Sequence, residues 1–541
     1  MILCQRWLLI LILVMAGGVT AHAQSCVTPD EVKQLLARVQ SPPATSIDQK
    51  LRKKLLLMSQ QQGEMLLEVV EKDQAKASDQ KKLHKLYQQN TAKFCEILKS
   101  VGWPSAALVD RDGVLASFQI LNNATFELQR DLLPVIVASM KKDPEQKPLF
   151  AGFFDRLRVS AGMKQLFGTQ AMSMGGFLVL YPIEDQTKLD SLRAQFGLPP
   201  MDDNIRELER TYGKPLVKAR QPPTTKLSKQ LTDSITQAID SAALKSNEID
   251  PGDVIKTETS LVSLNVSVFT NNNQVFTGSL AKDDFHVEEN GKEQTVTYFA
   301  STDVPFDLVL LIDLSGSTLE KRDLIKASTL RFIEAARPSD RLAIVTFSDK
   351  TTVVSPLTLD RVQLAASVAG MQGEGGSHVW DAIKFALDNV VGPKLPDRRR
   401  AIVMMSDGVD GSFTRYGSYR GSATLFADLI EQVRGTDALI VPIYLDTEDS
   451  EYGPNAKEEY ENARRALNLL ARESGGSYYK ARKLPDLNGV YEQVINDLGK
   501  VYSLGYKPTN EAHDNSWRWV KVSVVNRPEL TARTRPGYYA Q

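Results

Sequence analysis

The sequence is poor in the residues that build nitrogen- and sulfur-based catalytic or metal centres. It has three cysteines and five histidines in 541 residues. Cys4 lies in an N-terminal segment predicted to be removed. Cys26 and Cys95 alone cannot form a zinc site, because no histidine or acidic partner stands at a suitable spacing. The motifs G-x-S-x-G and H-E-x-x-H are also missing, so the sequence indicates neither a serine hydrolase nor a zinc protease.

The charge balance excludes another class of partner. The formal net charge is −1, with 24% charged and 42% hydrophobic residues. This is ordinary for a soluble globular protein and does not indicate nucleic acid as a general partner. A chain of this length is too long for a single hydrophobic core, so we predict two to four domains. Nothing in the sequence indicates an oligomeric state.

Long apolar runs are absent except at the N-terminus. Residues 7–16 are apolar, and Ala21-His22-Ala23 follows as a small-x-small cleavage site. We predict a signal peptide over residues 1–23 and a secreted or periplasmic bacterial protein, with no stable membrane span after cleavage. A retained anchor is the weaker alternative, because the run is shorter than the ~20 residues that a spanning helix needs. In an exported compartment Cys26 and Cys95 could form a disulfide or remain two separate thiols.

The stretch Phe306–Glu320 carries the most chemical information. Leu308 to Ile312 are aliphatic, which predicts a strand buried on both faces. One carboxylate and two hydroxyls follow, from Asp313, Ser315 and Ser317. Such oxygen donors suit a hard cation such as Mg²⁺ better than zinc or copper. On their own, these short polar residues could equally cap a helix.

Two further stretches match the first. Residues 375–382, GGSHVWDA, form a glycine-rich loop that opens a helix, and residues 400–408, RAIVMMSDG, form a buried strand that ends in a carboxylate. Together the three loops resemble the metal-ion-dependent adhesion site of von Willebrand factor type A (VWA) domains. The resemblance implies a site for Mg²⁺, or Mn²⁺ or Ca²⁺, with a serine where the family usually has a threonine. We expect the first carboxylate to face solvent. The implied ligands are Asp313, Ser315, Ser317, Ser377 and Asp407.

The VWA resemblance covers residues 305–502. Strands and helices alternate there, which predicts an α/β, doubly wound, Rossmann-like sheet. Besides the two buried strands above, we predict strands Arg341–Ser348, Ala438–Leu445 and Gly476–Lys480. The predicted helices are Glu320–Ala336, Val379–Val391, Ala423–Val433, Glu458–Ser474 and Leu487–Tyr502.

The sequences on both sides of this domain, its flanks, have patterns typical of β-strands. Residues 253–304 and 503–541 contain alternating apolar segments, and Asn290-Gly291 is a hairpin turn signal. They resemble the flanks found in an acidobacterial family of secreted VWA-related proteins. Each flank has too few strands to be stable alone. We therefore predict one small β-sandwich with the VWA domain inserted, the alternative being two independent appendages.

The N-terminal part, residues 24–213, is predicted to be a helical, then α+β domain. Its motifs Gly102-Trp103-Pro104, Asp155-Arg156, Gly168-Thr169-Gln170 and Pro182-Ile183-Glu184-Asp185 resemble an uncharacterised bacterial domain family, which implies a fold unit but no activity. Asp155 and Arg156 could be an active-site pair or an ion pair that holds a helix. Residues 214–252 are predicted to be a linker.

Three functions are compatible with this organisation. The first is a binding and cell-adhesion module, in which a protein ligand offers an acidic residue to the metal. The second is a metal-assisted hydrolase with His378 as its base, although a histidine at a helix start is more often structural. The third makes the N-terminal domain an uncharacterised enzyme and the VWA domain its docking module. We favour the first and expect no enzymatic activity.

Overall fold

The structure is a computed structural model. It describes residues 11–12, 25–71, 77–219, 261–272, 274–316, 318, 322–392, 398–413, 421–446, 454–481 and 487–540. The chain forms two compact units, one from the N-terminal part up to Tyr212 with the strand that follows, and one from the rest of the chain. Each is described separately.

Amphipathic helices make up most of the N-terminal unit. The first begins at a capping box, where the Thr28 hydroxyl accepts the N–H of Glu31 and the Glu31 carboxylate accepts the N–H of Thr28. A disulfide joins Cys26 to Cys95 and ties the chain before the first helix to the third. The helices are α1 Pro29–Gln40, α2 Gln49–Glu71, α3 Ala77–Val101, α4 Ala106–Asn122, α5 Phe126–Lys142, α6 Lys147–Ser160, α7 Leu189–Gln195 and α8 Met201–Tyr212, with a 3-10 turn at Pro144–Gln146.

A small sheet completes this unit. Its strand order is β1-β2-β3-β4, with β1 Leu11–Ile12, β2 Gln170–Met174, β3 Phe177–Leu180 and β4 Leu216–Lys218. β1 lies within the predicted signal peptide, whose removal would leave β2, β3 and β4 paired. The last strand corrects the prediction of a linker from residue 214, because Leu216 and Val217 are buried and pair in parallel with β3. A three-residue strand with only two apolar residues is too short to be identified from the sequence without its neighbour.

The VWA region folds into a mainly parallel sheet between helices. Its strand order is β11-β10-β9-β12-β13-β14, that is, 3-2-1-4-5-6 in chain order, as in doubly wound folds. The predicted fold class is thereby confirmed. The strands are β9 Phe306–Asp313, β10 Arg341–Phe347, β11 Thr351–Thr358, β12 Arg399–Ser406, β13 Leu439–Leu445 and β14 Tyr479–Ala481. The helices are α9 Arg322–Ala335, α10 Arg361–Val368, α11 Val379–Asn389, α12 Phe426–Gly435, α13 Pro454–Ser474 and α14 Leu487–Leu498, with a 3-10 turn at Gly411–Phe413.

Two elements of this region escaped the sequence analysis. β11 is the antiparallel edge strand beside β10, and α10 follows it. An edge strand is only partly buried, so β11 carries threonines instead of an aliphatic run and gives a weak pattern. The predicted helix from Leu487 also ends earlier, because Tyr502 already belongs to the following strand.

The flanks form the predicted β-sandwich. One sheet has the order β17-β5-β15-β8 and the other β18-β16-β6-β7, so strands from both flanks pair within each sheet. Asn290 and Gly291 make the turn between β6 and β7, with φ of 49° and 77°. The strands are β5 Val262–Thr270, β6 Phe285–Glu289, β7 Lys292–Gln294, β8 Val296–Ala300, β15 Tyr502–Tyr506, β16 Trp517–Val524, β17 Leu530–Arg533 and β18 Gly537–Tyr539, with a 3-10 turn at Lys282–Asp284.

No helix in the described part of the chain has both the length and the apolar character needed to cross a bilayer.

Candidate metal site

Two predicted ligands lie at the centre of the VWA sheet. β9 ends at Asp313, and the adjacent β12 ends at Ser406, directly before Asp407. The strand order reverses between β9 and β12. In doubly wound sheets, ligands bind outside the carboxyl ends of the strands at such a switch point. The topology therefore positions both carboxylates where this fold places its ligands.

Asp313 is the centre of a hydrogen-bonded cluster. Its Oδ1 accepts the backbone N–H of Ser315 at 2.9 Å. Its Oδ2 accepts the hydroxyls of Ser377 at 3.3 Å and Ser406 at 2.5 Å. The Ser315 hydroxyl also bonds to this carboxylate. The structure thus brings residues from all three sequence motifs together around one carboxylate.

A second carboxylate contributes to the electrostatics of this cluster. Burial, and next the negative charge of Asp407, raise the pKa of Asp313 to about 6. The hydroxyls of Ser315 and Ser406 oppose this rise by hydrogen-bonding to the ionised form. Two neighbouring carboxylates in a buried position favour a positively charged ligand.

The expectation that the Asp313 carboxylate faces solvent is wrong. Asp313 is 0% exposed and Asp407 is 1% exposed. The reason is that β9 is buried along its whole length, and that its end is contacted by Ser315 in the following loop, by Ser377 in the loop after α10 and by Ser406 at the end of β12. Replacing Asp313 by alanine would leave buried hydroxyls without their acceptor, so asparagine is the better substitution for testing its charge.

Hydrogen bonds made by Thr318 and Gly316 hold the first loop in place. The Thr318 hydroxyl donates to the backbone carbonyls of Asp313 and Ser315, at 3.2 and 2.9 Å. The Gly316 N–H donates to the carbonyl of Gly375 in the second loop at 3.0 Å. The Thr318 bonds fix the conformation of the first loop, and the Gly316–Gly375 bond joins it to the second loop. Ser317, the remaining predicted ligand of this loop, lies outside the described residues.

The second loop depends on a glycine and a carboxylate. Gly375 has φ of +94°, and a Cβ there would lie 2.0 Å from Oδ2 of Asp349. Oδ1 of Asp349 accepts the Gly376 N–H at 2.6 Å. The loop can therefore pass close to β10 only with glycine at position 375, and this path carries Ser377 to Asp313.

Asp410 is a structural residue that sequence reasoning missed. It is fully buried, and its Oδ2 accepts the N–H of Val379 at 2.8 Å and the hydroxyl of Ser422 at 2.5 Å. It thus fixes the start of α11, two residues beyond Ser377. Its position three residues after Asp407 was visible in the sequence, but its partners were not. Ser406 and Thr318 were missed as well, although a hydroxyl at the end of a central strand is a usable signal.

His378 occupies the N-cap position of α11. Its N–H donates to the carbonyl of Ser348 at 3.2 Å, and its Nδ1 lies 3.9 Å from Oδ2 of Asp381. These contacts match the structural interpretation of this histidine.

The donor chemistry of the cluster fits a hard divalent cation. Carboxylate and hydroxyl oxygens are ligands that Mg²⁺, Mn²⁺ and Ca²⁺ accept. A cation would also offset the repulsion and burial that raise the pKa of Asp313. Among the described residues no three His, Cys, Asp or Glu side chains converge on one point. A metal site here therefore depends on the hydroxyls as well as on the two carboxylates.

Asp155, in one of the motifs of the N-terminal unit, has a structural role that differs from the predicted one. Asp155 is fully buried, and its carboxylate accepts the N–H groups of Leu166, Phe167 and Thr169, at 2.7 to 3.1 Å, and the Thr169 hydroxyl at 2.9 Å. The predicted ion pair with Arg156 is wrong, because adjacent helical positions do not face each other. Asp155 instead anchors the loop that contains the G-T-Q motif.

Comparison with known families agrees with this architecture. Residues 308–409, within the doubly wound sheet, match the family model of the von Willebrand factor type A domain. Residues 49–218 match a family of unknown function, DUF6624. The chain is thus a VWA-domain protein with an N-terminal DUF6624 domain, and its VWA domain is a protein-interaction or adhesion module. No curated protein matches the chain in sequence.

Solved structures with similarity to the chain include several bacterial VWA proteins. The conserved hypothetical protein BatB from Bacteroides thetaiotaomicron is 13% identical, with 36% of this chain and 98% of that chain covered and a TM-score of 0.28. The vWF domain of the type V pili tip protein Mfa5 from Porphyromonas gingivalis is 15% identical, with 36% and 95% covered and a TM-score of 0.28. A von Willebrand factor type A protein from Catenulispora acidiphila is 14% identical, with 53% and 65% covered and a TM-score of 0.30. With TM-scores of this size, the fold assignment rests on the strand order and the family match.

Proposed function

We propose that this protein is an exported binding module that holds a divalent cation at the VWA sheet edge and uses it to bind an acidic side chain of a protein ligand. The observation that carries the proposal is the cluster in which Asp313 contacts Ser315, Ser377 and Ser406 beside Asp407. The cation is Mg²⁺, or Mn²⁺ or Ca²⁺. When bound, it supplies a positive charge and a coordination position for a carboxylate oxygen of the ligand.

Different residues of the chain supply the neutral oxygens and the negative charges that hold the ion. Ser315, Ser377 and, by resemblance, Ser317 supply neutral oxygens, while Asp313 and Asp407 balance the charge. The Asp349–Gly376 hydrogen bond keeps the second loop close to the first. The backbone N–H of His378 bonds to Ser348 and its Nδ1 lies near Asp381, which supports a structural role at the helix start. We therefore propose binding without catalysis.

Export is supported by two independent features. The sequence begins with an apolar run and a small-x-small cleavage site. The two cysteines outside that segment are joined as a disulfide, Cys26–Cys95, in the structure. Disulfides persist in oxidising compartments such as the periplasm and the cell exterior.

Metal titration and ligand capture test the binding proposal together. Isothermal titration with Mg²⁺ should show one site in the mature protein. Asp313→Asn should weaken binding by roughly 100-fold, and Ser377→Ala by less, because water can replace a hydroxyl. The control is Asp388→Ala, a surface residue of α11 that pairs with Lys384, and it should bind like wild type.

Capture from the envelope fraction of the source bacterium, with Mg²⁺ or with EDTA, gives the second readout. Retention of the ligand should follow metal occupancy across the same variants. Capture that survives both EDTA and Asp313→Asn would place recognition on another face of the molecule and refute the metal-dependent mechanism.

A further inference from the structure

Several helices of the N-terminal unit carry buried polar atoms without hydrogen-bond partners. Buried polar groups normally have a partner, because leaving one unpaired costs free energy. Several such atoms at one place indicate that a ligand or ordered water supplies the missing bonds. The atoms are Nε2 and Oε1 of Gln62, Oδ1 of Asn122, Oδ1 of Asn123, Oε1 of Gln129 and Nη1 of Arg156.

Helix packing brings Gln62 beside Asn122. Arg52 on α2 pairs with Asp112 on α4 through a 2.8 Å bond, and Ser59 on α2 bonds to Gln119. Both pairs are 60 positions apart, so α2 and α4 run parallel in this region. The same offset places Gln62 alongside Asn122, at the end of α4.

The third helix brings a tyrosine to the same level. Nδ2 of Asn90 on α3 donates to the carbonyl of Met58 on α2 at 3.1 Å. Met58 is as far from the end of α2 as Asn90 is from the start of α3, so the two helices run antiparallel. One turn forward from Met58 is Gln62, and one turn back from Asn90 is Tyr87. These two side-chain positions are therefore at one level of the bundle.

Arg156 reaches this level from α6. Arg111, near the start of α4, donates to Glu145, just before α6, at 2.7 Å, so the two helices begin side by side. The rings of Phe118 and Phe153 are 6.3 Å apart, which sets the register. One turn beyond Phe153 is Arg156, next to the end of α4. The positive charge of Arg156 acts on the hydroxyls of Tyr87 and Tyr181 and lowers the pKa of each, against the larger effect of burial.

The charge of Arg156 differs from that of its neighbours in how it is compensated. Burial lowers the pKa of the Arg156 guanidinium, and among the described residues the groups that oppose this are Tyr87 and Tyr181, with no carboxylate among them. The adjacent Asp155 carboxylate is committed to the loop at residues 166–169. Arg158 on the same helix pairs with Glu184. A cation that is partly buried and has no anion beside it is less favourable than a paired one, and an anion that binds it gains a strong, charge-assisted hydrogen bond.

We propose that Arg156, Tyr87 and Tyr181, together with the amides of Gln62, Asn122 and Asn123, form a binding site for a small molecule that carries an oxyanion. We name this group the Arg156 cluster. The guanidinium and the tyrosine hydroxyls receive a carboxylate or phosphate group, and the amides bond to the polar body of the ligand. Arg156, Tyr87 and Asn123 are only partly buried, which gives the ligand access from the surface. This site is independent of the metal site.

Binding of two simple oxyanions to the mature full-length protein tests the proposal. The probes are inorganic phosphate and succinate, titrated at constant ionic strength with chloride as the reference anion, and the readout is the melting of the N-terminal unit. At least one probe should raise the melting temperature saturably, and the comparison of the two identifies the head group. Arg156→Gln should lower the affinity at least tenfold, and Tyr87→Phe several-fold. The matched control is Arg111→Gln, an arginine whose side chain is 77% exposed, and it should bind like wild type.

Stability without any probe distinguishes a binding residue from a structural one. Removing a partly buried charge that no carboxylate among the described residues offsets should leave the melting temperature of Arg156→Gln equal to that of wild type or higher. Absence of saturable binding of both probes to the wild-type protein overturns the proposal, as does unchanged affinity in Arg156→Gln. If Arg156→Gln does not fold, unchanged affinity in Tyr87→Phe overturns it in the same way.

Discussion

Asp155 in the N-terminal unit and Asp313 in the VWA domain are both completely buried aspartates, yet their surroundings differ. Asp155 accepts hydrogen bonds from three backbone N–H groups and one hydroxyl, all from one loop. Asp313 accepts one backbone N–H and side-chain hydroxyls from separate loops, and it lies beside Asp407. Burial is the largest cause that raises the pKa of each.

The comparison distinguishes a carboxylate that stabilises the fold, Asp155, from one whose surroundings favour a bound cation, Asp313. A carboxylate surrounded by fixed backbone donors is stabilised by the fold itself. A carboxylate next to a second carboxylate is stabilised best when a cation arrives. Arg156 is the counterpart of opposite sign, a partly enclosed cation near tyrosine hydroxyls. Each unit of the chain therefore has charged groups that its own residues compensate and other charged groups that a bound ligand would compensate.

The largest effect in this comparison is expected for Asp155→Ala. It leaves the donors of Leu166, Phe167 and Thr169 unpaired in the core and should lower the free energy of unfolding of the N-terminal unit by about 3–5 kcal/mol. Urea unfolding followed by circular dichroism measures this loss. Asp203→Ala, on the exposed side of α8, is the control and should change it by less than about 0.5 kcal/mol. A loss below about 1 kcal/mol for Asp155→Ala would show that its hydrogen bonds are not structural.

Disulfide reduction should distinguish the two units with a somewhat smaller effect. Cys26 and Cys95 are 69 positions apart, so reducing their bond releases a long loop in the unfolded chain. We expect a loss of about 2–4 kcal/mol in the N-terminal unit. The second unit is an internal control, because its sequence contains no cysteine. Differential scanning calorimetry with and without reductant should show only one shifted transition, and equal shifts in both would contradict the expectation.

The smallest effect concerns pH and Asp313. Its pKa rises from about 3.9 in an unfolded chain to about 6 in the folded protein. The folded state therefore binds its proton more tightly, and stability is lost as pH rises from about 4 to about 6, by up to about 2–3 kcal/mol. Asp313→Asn should not show this loss. The measurement is the free energy of unfolding of the VWA domain at pH 4.5 and 7 in EDTA.

Addition of Mg²⁺ at pH 7 provides a second comparison of wild type with Asp313→Asn. The cation should restore stability to the wild-type domain, because it binds only the folded state. It should have little effect on Asp313→Asn. Wild type and Asp313→Asn with identical pH profiles would mean that the Asp407 charge and burial do not act on Asp313 as described.

Local sequence predicted much of the fold and part of the candidate site. The aliphatic runs of β9 and β12 identified buried parallel strands, and the polar residues after them identified the ligand-binding edge. The edge strand β11 could not be identified in this way, because its exposed face carries no apolar pattern. The pairing of Asp155 with residues 166–169 was also invisible, since a neighbouring arginine is the more obvious partner in a sequence.

The sequence by itself determined the alternation of strands and helices in the VWA domain, apart from β11 and α10, and the strand-rich character of its flanks. The three loops that carry Asp313, Ser377 and Asp407 were identified by their resemblance to VWA domains. These follow from short-range patterns, namely apolar periodicity, turn residues and polar residues at strand ends. Only the tertiary structure decided that Asp313 is buried, that Asp410 fixes the start of α11 and that Arg156 lies near Tyr87 and Tyr181. These depend on contacts between residues far apart in the chain, and burial and charge compensation are set by such contacts, not by neighbours in sequence.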